Sequence, residues 1–242
     1  MSDPKKVLFV TWDGPATNYL QSLFLPIFSR LEEFGYKMHV LQFTWSDPEA
    51  AALACRGACV PYRSVRVMRA PKSVGPFITA VLGRRHVAQA VEDWNIDIVM
   101  PRSLMPALAV LLGRPQSPTI FDADGLAADE RADFGQISRA GLIYKLLRWI
   151  ECQAVRRASH VVVRTPSGAR ILAERAKLNS TRNFSVVSNG RDEHVFRPLS
   201  PARRNQVRAE LGIDPTSFLL VYVGSLGPQY CPREMLYLLR NV

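Results

Sequence analysis

Phe184-Ser-Val-Val-Ser-Asn-Gly-Arg-Asp-Glu-His-Val-Phe-Arg-Pro198, followed after a basic stretch by Phe218-Leu-Leu-Val-Tyr-Val-Gly-Ser-Leu-Gly227, is the part of the chain whose reading decides the fold. Phe184 to Val187 is a short apolar β run. Asn189-Gly190 marks a turn, because both residues tolerate φ > 0. Pro198 closes the segment, since proline cannot continue a ladder. Ser200-Pro201 supplies a helix cap and first helical position, and Gly212 stands where that helix ends. Phe218–Val223 predicts a second buried strand, running into Gly224-Ser225-Leu226-Gly227. A chain that finishes one αβ unit, crosses a charged helix and opens a new strand–glycine loop is entering a second domain.

The same alternation runs upstream, with no internal repeat or low-complexity tract. Lys6–Thr11 reads as an apolar strand ending in Trp12-Asp13-Gly14-Pro15. The helix after it, roughly 17–33, carries Leu20, Phe24, Ile27 and Leu31 at helical spacing, and Pro26 is expected to kink it. Lys37–Phe43, Val65–Met68, Asp97–Pro101, Thr119–Asp122 and Val161–Val163 read as further strands. Asp47–Ala58, Val74–Trp94, Ser103–Gly113, Arg139–Arg157 and a segment capped by Thr165-Pro166 read as the helices between them. The pattern predicts an α/β fold, a doubly wound, mostly parallel, Rossmann-like sheet flanked by helices. Residues 1–198 are expected to form it, 199–212 to be a connecting helix, and 213–242 to begin a second domain with its first strand and helix.

The 242 residues are 48% apolar and 21% charged, ordinary for a globular chain, but their formal net charge is +10. That balance implies an anionic partner: nucleic acid, an acidic membrane face or a phosphorylated ligand. Nothing resembling a helix-turn-helix, a zinc pattern or a strand of stacked aromatics supports nucleic acid. The cations cluster. Arg63, Arg66, Arg69, Lys72, Arg84 and Arg85 occur before His86 with no acid among them, which suits an anionic membrane surface. Arg139–Arg157 is also basic, yet its stripe of Leu142, Leu146 and Ile150, with Ile143 and Leu147 beside it, fits a core helix better than a lipid-facing one. With no 18-residue apolar run and no signal-peptide core, the chain is expected in the cytoplasm, at most peripheral at the inner membrane face. Cys55, Cys59, Cys152 and Cys231 are too scattered for a disulfide framework and read as reduced thiols.

In a doubly wound sheet, ligands bind at the carboxyl ends of strands. Three such ends carry candidate residues. At the first, Asp13-Gly14 offers a carboxylate and a turn where backbone can approach a ligand. At the second, Arg102-Ser103 offers a guanidinium able to hold a phosphate or carboxylate bidentately. The third is Phe121-Asp-Ala-Asp-Gly-Leu-Ala-Ala-Asp-Glu-Arg131, whose Asp122 and Asp124 form an Asp-x-Asp string able in principle to chelate a hard cation. His39, His86, His160 and His194 fall on separate elements, so no nucleophile–base arrangement is supported.

Ser188-Asn-Gly-Arg-Asp…Phe196-Arg-Pro followed by Tyr222-Val-Gly-Ser-Leu-Gly227 resembles the interdomain crossing of family-4 glycosyltransferases of GT-B architecture. Arg191 stands where that family usually has a small apolar residue. Phe121–Arg131 is similar to the Phe-Asp-x-Arg-Gly-x-x-x-Asp-Glu-Arg stretch of a family-4 subgroup, with Asp124 in place of its arginine. The resemblance implies an N-terminal, acceptor-side domain that works without a metal or cofactor. Asp13, Gly14, Arg102, Ser103, Asp122, Asp124, Glu130 and Arg131 would face substrate, and Gly224 and Ser225 the donor. It implies a retaining transfer of a hexose from a nucleotide-diphosphate sugar to a lipid-linked or polysaccharide acceptor, with a donor-binding half expected beyond Val242. Two other readings stay open: a sugar-nucleotide epimerase of the same architecture, which needs acid–base groups not evident here, and a non-catalytic remnant of the fold.

Overall fold

The computed structural model describes residues 3–13, 18–71, 74–134, 137–190, 196–224, 226–227 and 230–240. They fall into two compact units, Met1–Asn189 and Gly190–Val242. In the first, strand β1 (Lys5–Asp13) pairs in parallel with β2 (Tyr36–Thr44) on one side and β4 (Ile98–Pro101) on the other. β3 (Tyr62–Arg66) extends β2. A second parallel set runs β5 (Ile120–Asp122), β6 (His160–Val163), β7 (Phe184–Val186). The sets meet through parallel bridges Val99–Thr119 and Arg102–Asp122, where the Ser103 N–H donates to the Asp122 carbonyl at 2.9 Å. The strand order across the whole is therefore 3-2-1-4-5-6-7. The expected Rossmann-like sheet is present.

Parallel strands are covered on both faces, which is why they read as unbroken apolar runs. β1 shows this: Val7 and Phe9 pack with Met38, Val40 and the helix α1 (Leu25–Glu32), while Leu8 and Val10 pack with Leu41, Phe43 and α3 (Gly75–Trp94). α2 (Glu49–Gly57) shares the first face through Ala51 and Cys55, whose thiol burial pushes up to about 11. α4 (Leu104–Gly113) and α6 (Leu142–Arg157) enclose a further core over β5 and β6, around Phe121, Leu147, Ile150 and Val161. α7 (Pro166–Arg175) starts as expected: Thr165 accepts the Gly168 N–H on its side chain, and Pro166 follows.

Three local details depart from the expectations. The turn Leu20–Phe24 before α1 is π-helical, with the Leu25 N–H bonded to the Leu20 carbonyl five residues back. Pro26 follows at the start of α1; it has no N–H to give and its ring crowds a carbonyl four residues earlier, which accounts for the widened turn before it. In α6 the buried stripe is Leu147, Ile150, Ala154 with Ile143 beside it, and Leu142, Leu146 and Trp149 face solvent. Ala127–Asp133, which falls in none of the expected strands or helices, is a short helix, α5.

The second unit contains α8 (Pro201–Glu210) and α9 (Pro232–Arg240). Ser200 caps α8 by accepting the Arg203 N–H, and Gly212 ends it at φ +67°. Phe218–Val223 joins no sheet among the described residues, and its ends are 90% exposed. The expectation of a buried strand there is corrected: apolar composition alone does not make a strand where no neighbouring strand takes up the backbone N–H and C=O groups. Arg191 and His194 lie outside the described residues.

Candidate functional site

The strand order reverses between β1 and β4, because the chain first lays β2 and β3 on one side of β1 and then continues on the other. Ligand crevices in such sheets open at that reversal, beyond the carboxyl ends of the strands. Asp13 ends β1 there, and Arg102 follows β4. The Arg102 guanidinium is 10% exposed and lies over the Phe24 ring at 4.7 Å, so the π-helical turn supplies its apolar floor.

Arg102 meets the end of β5. Its Nη1 donates to Asp122 Oδ2 at 2.7 Å and its Nη2 to Asp124 Oδ1 at 2.6 Å. Arg164, the residue after β6, closes the group from the other side. Its Nη2 donates to Asp122 Oδ1 and Oδ2 at 2.9 and 3.0 Å, its Nε to Asp124 Oδ1 at 3.4 Å, and its Nη1 to the Val187 carbonyl at 2.9 Å. Two guanidiniums and two carboxylates thus stand together at the ends of three adjacent strands. Asp122 is 2% exposed and Asp124 42%. The Asp-x-Asp string is consequently an arginine-binding pair: both carboxylates are already occupied by guanidiniums, and no cluster of three potential ligands for a metal occurs among the described residues.

Two residues here are held in the left-handed φ region, Asp124 at +62° and Ser103 at +66°. Ser103 begins α4 without capping it and has ψ −177°, a combination that costs a non-glycine residue about 1–3 kcal/mol. The bend turns the chain from β4 into α4 just after Arg102, where the Arg102 N–H bonds the Val10 carbonyl and the Ser103 N–H the Asp122 carbonyl.

Asp13 lies buried on the other side of the reversal. Gln42 Nε2 donates to its Oδ2 at 2.7 Å, and the Tyr62 hydroxyl donates in turn to Gln42 Oε1. Burial raises the Asp13 pKa, against the Gln42 hydrogen bond, the Arg102 charge and Thr11. Burial likewise pushes Tyr62 up to about 12.

A cavity of about 390 Å³ opens beside the arginine group, lined by Asp124, Gly125, Asp129, Glu130, Arg164 and the start of α7. Glu130 folds back so that a Cβ on Gly125 would collide with its Oε1. Another cavity, of about 350 Å³, lies at the opposite end of β5, between Arg114 and Arg157, away from the strand ends.

Asp129 anchors the wall of the first cavity. Its Oδ1 accepts from Arg139 Nη1 at 3.0 Å and from the Tyr144 hydroxyl at 2.9 Å, and its Oδ2 from Arg175 Nη1 at 2.6 Å. Arg175 also lies 3.5 Å from Glu151, a 2%-exposed carboxylate that pairs with Arg148 and leaves Oε2 with no hydrogen-bond partner among the described residues.

Of the residues singled out in the sequence, Asp13, Arg102, Ser103, Asp122 and Asp124 come together at the strand ends, and Glu130 lines the adjoining cavity. Arg131 is exposed and does not line it. Gly14 and Ser225 lie outside the described residues, and Gly224 is exposed in the second unit. Arg164 was missed, although an arginine directly after the apolar run His160–Val163 carries the same strand-end signal that marked Arg102.

Residues 24–190 match the glycosyl transferase 4-like domain. The chain is similar to the alpha-maltose-1-phosphate synthase of Mycobacterium tuberculosis, 34% identical over 87 residues, which is 36% of this chain and 22% of that protein. Among solved structures it resembles a glycosyltransferase from Rickettsia africae, with TM-score 0.57 and 12% identity over 88% of this chain and 51% of that one. It also resembles Anabaena Alr3699/HepE, solved with UDP and glucose, with TM-score 0.54 and 15% identity over 86% of this chain and 50% of that one. Solved UDP-N-acetylglucosamine 2-epimerases share the fold too. The chain thus spans about half the length of these two solved proteins and matches a shorter share of the curated relative.

Proposed function

The chain belongs to the glycosyl transferase 4-like family, and we propose that these residues form the acceptor-side half of a retaining sugar transferase. It would move a hexose from a nucleotide-diphosphate sugar to a lipid-linked or polysaccharide acceptor. The observation that supports this most is the convergence of Arg102 and Arg164 at the sheet reversal, beside a cavity large enough for a sugar ring. The bond to a diphosphate breaks with charge developing on the leaving group, and cations fixed in advance lower that barrier. Asp122 fixes both arginines. Glu130 and Asp13 are carboxylates able to accept hydrogen bonds from acceptor hydroxyls. In the resembling family the nucleotide is held mainly by a second domain. Residues 1–242 alone are therefore expected to give no sugar transfer from UDP- or GDP-hexoses, and to give it when a relative's donor-binding domain is joined to them. Robust transfer by residues 1–242 alone would sink this division of roles, and conversion of UDP-N-acetylglucosamine to its 2-epimer would favour the epimerase.

The acceptor's membrane is part of the same proposal. Arg66, Arg69, Arg84 and Arg85 are exposed and form no ion pair among the described residues. Met68, Val74, Val81 and Leu82 are exposed between them, after β3 and on α3. Arg63 drops out of the expected six, since it pairs with Asp93 at 2.8 Å and stacks on Trp94, and Lys72 lies outside the described residues. Cations interleaved with exposed aliphatic side chains suit an anionic bilayer surface. No helix among the described residues is long and apolar enough to cross a membrane. Flotation with vesicles containing phosphatidylglycerol is expected to carry the protein up, less so as salt rises, and pure phosphatidylcholine to leave it behind. Equal binding to both lipids would remove the anionic membrane as a partner.

A further inference from the structure

We propose that Arg102 and Arg164 form a phosphate-binding pair that Asp124 occupies from within, and that a phosphate-bearing ligand binds by displacing the Asp124 carboxylate. The hydrogen bonds divide the two carboxylates by role. Each guanidinium donates to buried Asp122 and also to the same atom, Asp124 Oδ1: Arg102 Nη2 at 2.6 Å and Arg164 Nε at 3.4 Å, while Arg164 Nη1 stays on the Val187 carbonyl. A single oxygen received by two guanidiniums is the arrangement that a phosphate oxygen makes with an arginine pair. Asp122 is sealed at 2% exposure and stays; Asp124 is 42% exposed, and partly solvated ion pairs are weak enough for a ligand to replace. Asp124 also keeps its place in a left-handed conformation, φ +62°, which a side chain adopts readily only if it is Asp or Asn. Its departure leads directly into the 390 Å³ cavity, whose lining includes both Asp124 and Arg164. Once Asp124 swings out, the two arginines retain one neutralising carboxylate, leaving a net positive site for an anion.

The ligand class is a phosphate ester or diphosphate. Only its source rests on the transferase reading, as either the diphosphate of the sugar donor or a phosphate on the acceptor. The test is calorimetric titration of residues 1–242 with inorganic pyrophosphate and, separately, with glycerol 1-phosphate. Asp124→Asn and Asp124→Gly both suit the left-handed backbone. Each is expected to bind pyrophosphate about ten-fold tighter than the parent, the effect of removing one like charge a few ångströms from the ligand. Adding Arg164→Gln is expected to abolish the gain, with thermal unfolding confirming that each variant folds. A gain confined to pyrophosphate assigns the site to the donor, and a gain shared by glycerol 1-phosphate assigns it to the acceptor. Affinity unchanged in both Asp124 variants, or a gain that survives Arg164→Gln, overturns the proposal. Because no sugar is present, that failure leaves the transferase reading to be judged by sugar transfer alone.

Discussion

Replacing Asp122 by alanine is expected to cost about 3–5 kcal/mol of folding stability, the range for breaking a buried ion pair from one side. Asp122 is the buried centre of the strand-end group: it holds Arg102 at 2.7 Å, Arg164 at 2.9 and 3.0 Å, and the Asp124 N–H at 3.2 Å. Without it, two guanidiniums only 10% and 20% exposed share Asp124 as their one carboxylate, Arg164 keeping besides it the Val187 carbonyl, and the bridge joining β4 to β5 loses its side-chain support. Arg164 recovers some hydration, which favours the lower half of the range. For a unit of this size the change lowers the melting temperature on the order of 10 °C. Asp124→Asn, at the exposed end of the same group, is expected to cost under about 1 kcal/mol. Urea unfolding of both variants checks the contrast. An Asp122→Ala protein within 1 kcal/mol of the parent would mean that Arg102 and Arg164 reach water and are not held as described.

The fold and part of the site were legible in the residues, and the division follows from what each depends on. Strands such as Val7–Val10 and Val161–Val163 are local facts: a strand covered on both faces must be apolar throughout, and the run can be read directly. Strand-end positions follow from the strands, so Arg102, Asp122 and Asp124 were found, and Arg164 was findable by the same rule. What escaped depends on partners distant in the chain. α5 reads Ala-Ala-Asp-Glu-Arg-Ala-Asp, with no apolar period, and it is held by Asp129 through Arg139, Tyr144 and Arg175 from ten to 46 residues away. The Leu142–Leu146 stripe was misjudged because a helix with apolar residues on two faces does not disclose which one the sheet covers; Leu147 and Ile150 are covered. Phe218–Val223 has the composition of a strand but no neighbouring strand among the described residues.

The charged wall of the cavity yields the second large effect, in which two carboxylates that share Arg175 respond oppositely to removal of their charge. Burial works to raise the Asp129 pKa, but the hydrogen bonds from Arg175 and Tyr144, with the charges of Arg175 and Arg148, outweigh it and hold the group below the ordinary carboxylate range. Glu151 goes the other way: burial raises its pKa, the charges of Arg148 and Arg175 offset this only in part, and nearby Asp129 adds to the rise. Asp129 thus contributes stability above its unfolded pKa of about 4, lost as pH falls through its lower folded value. For Glu151 the folded state holds the proton more tightly. Its contribution is full below an unfolded pKa of about 4.3 and declines as pH rises through the raised folded value. Asp129→Asn is therefore expected to destabilise by about 2–3 kcal/mol near neutrality, because both its oxygens accept from cations or hydroxyl and an amide presents only one acceptor. Glu151→Gln is expected to fall within about 1 kcal/mol of the parent, since it removes a buried charge whose Oε2 has no partner among the described residues. Measured from pH 3 to pH 7, the Asp129→Asn deficit grows while Glu151→Gln gains on the parent. Unfolding free energies of the two variants that move in the same direction across that range would show that Arg175 does not couple them as the geometry requires.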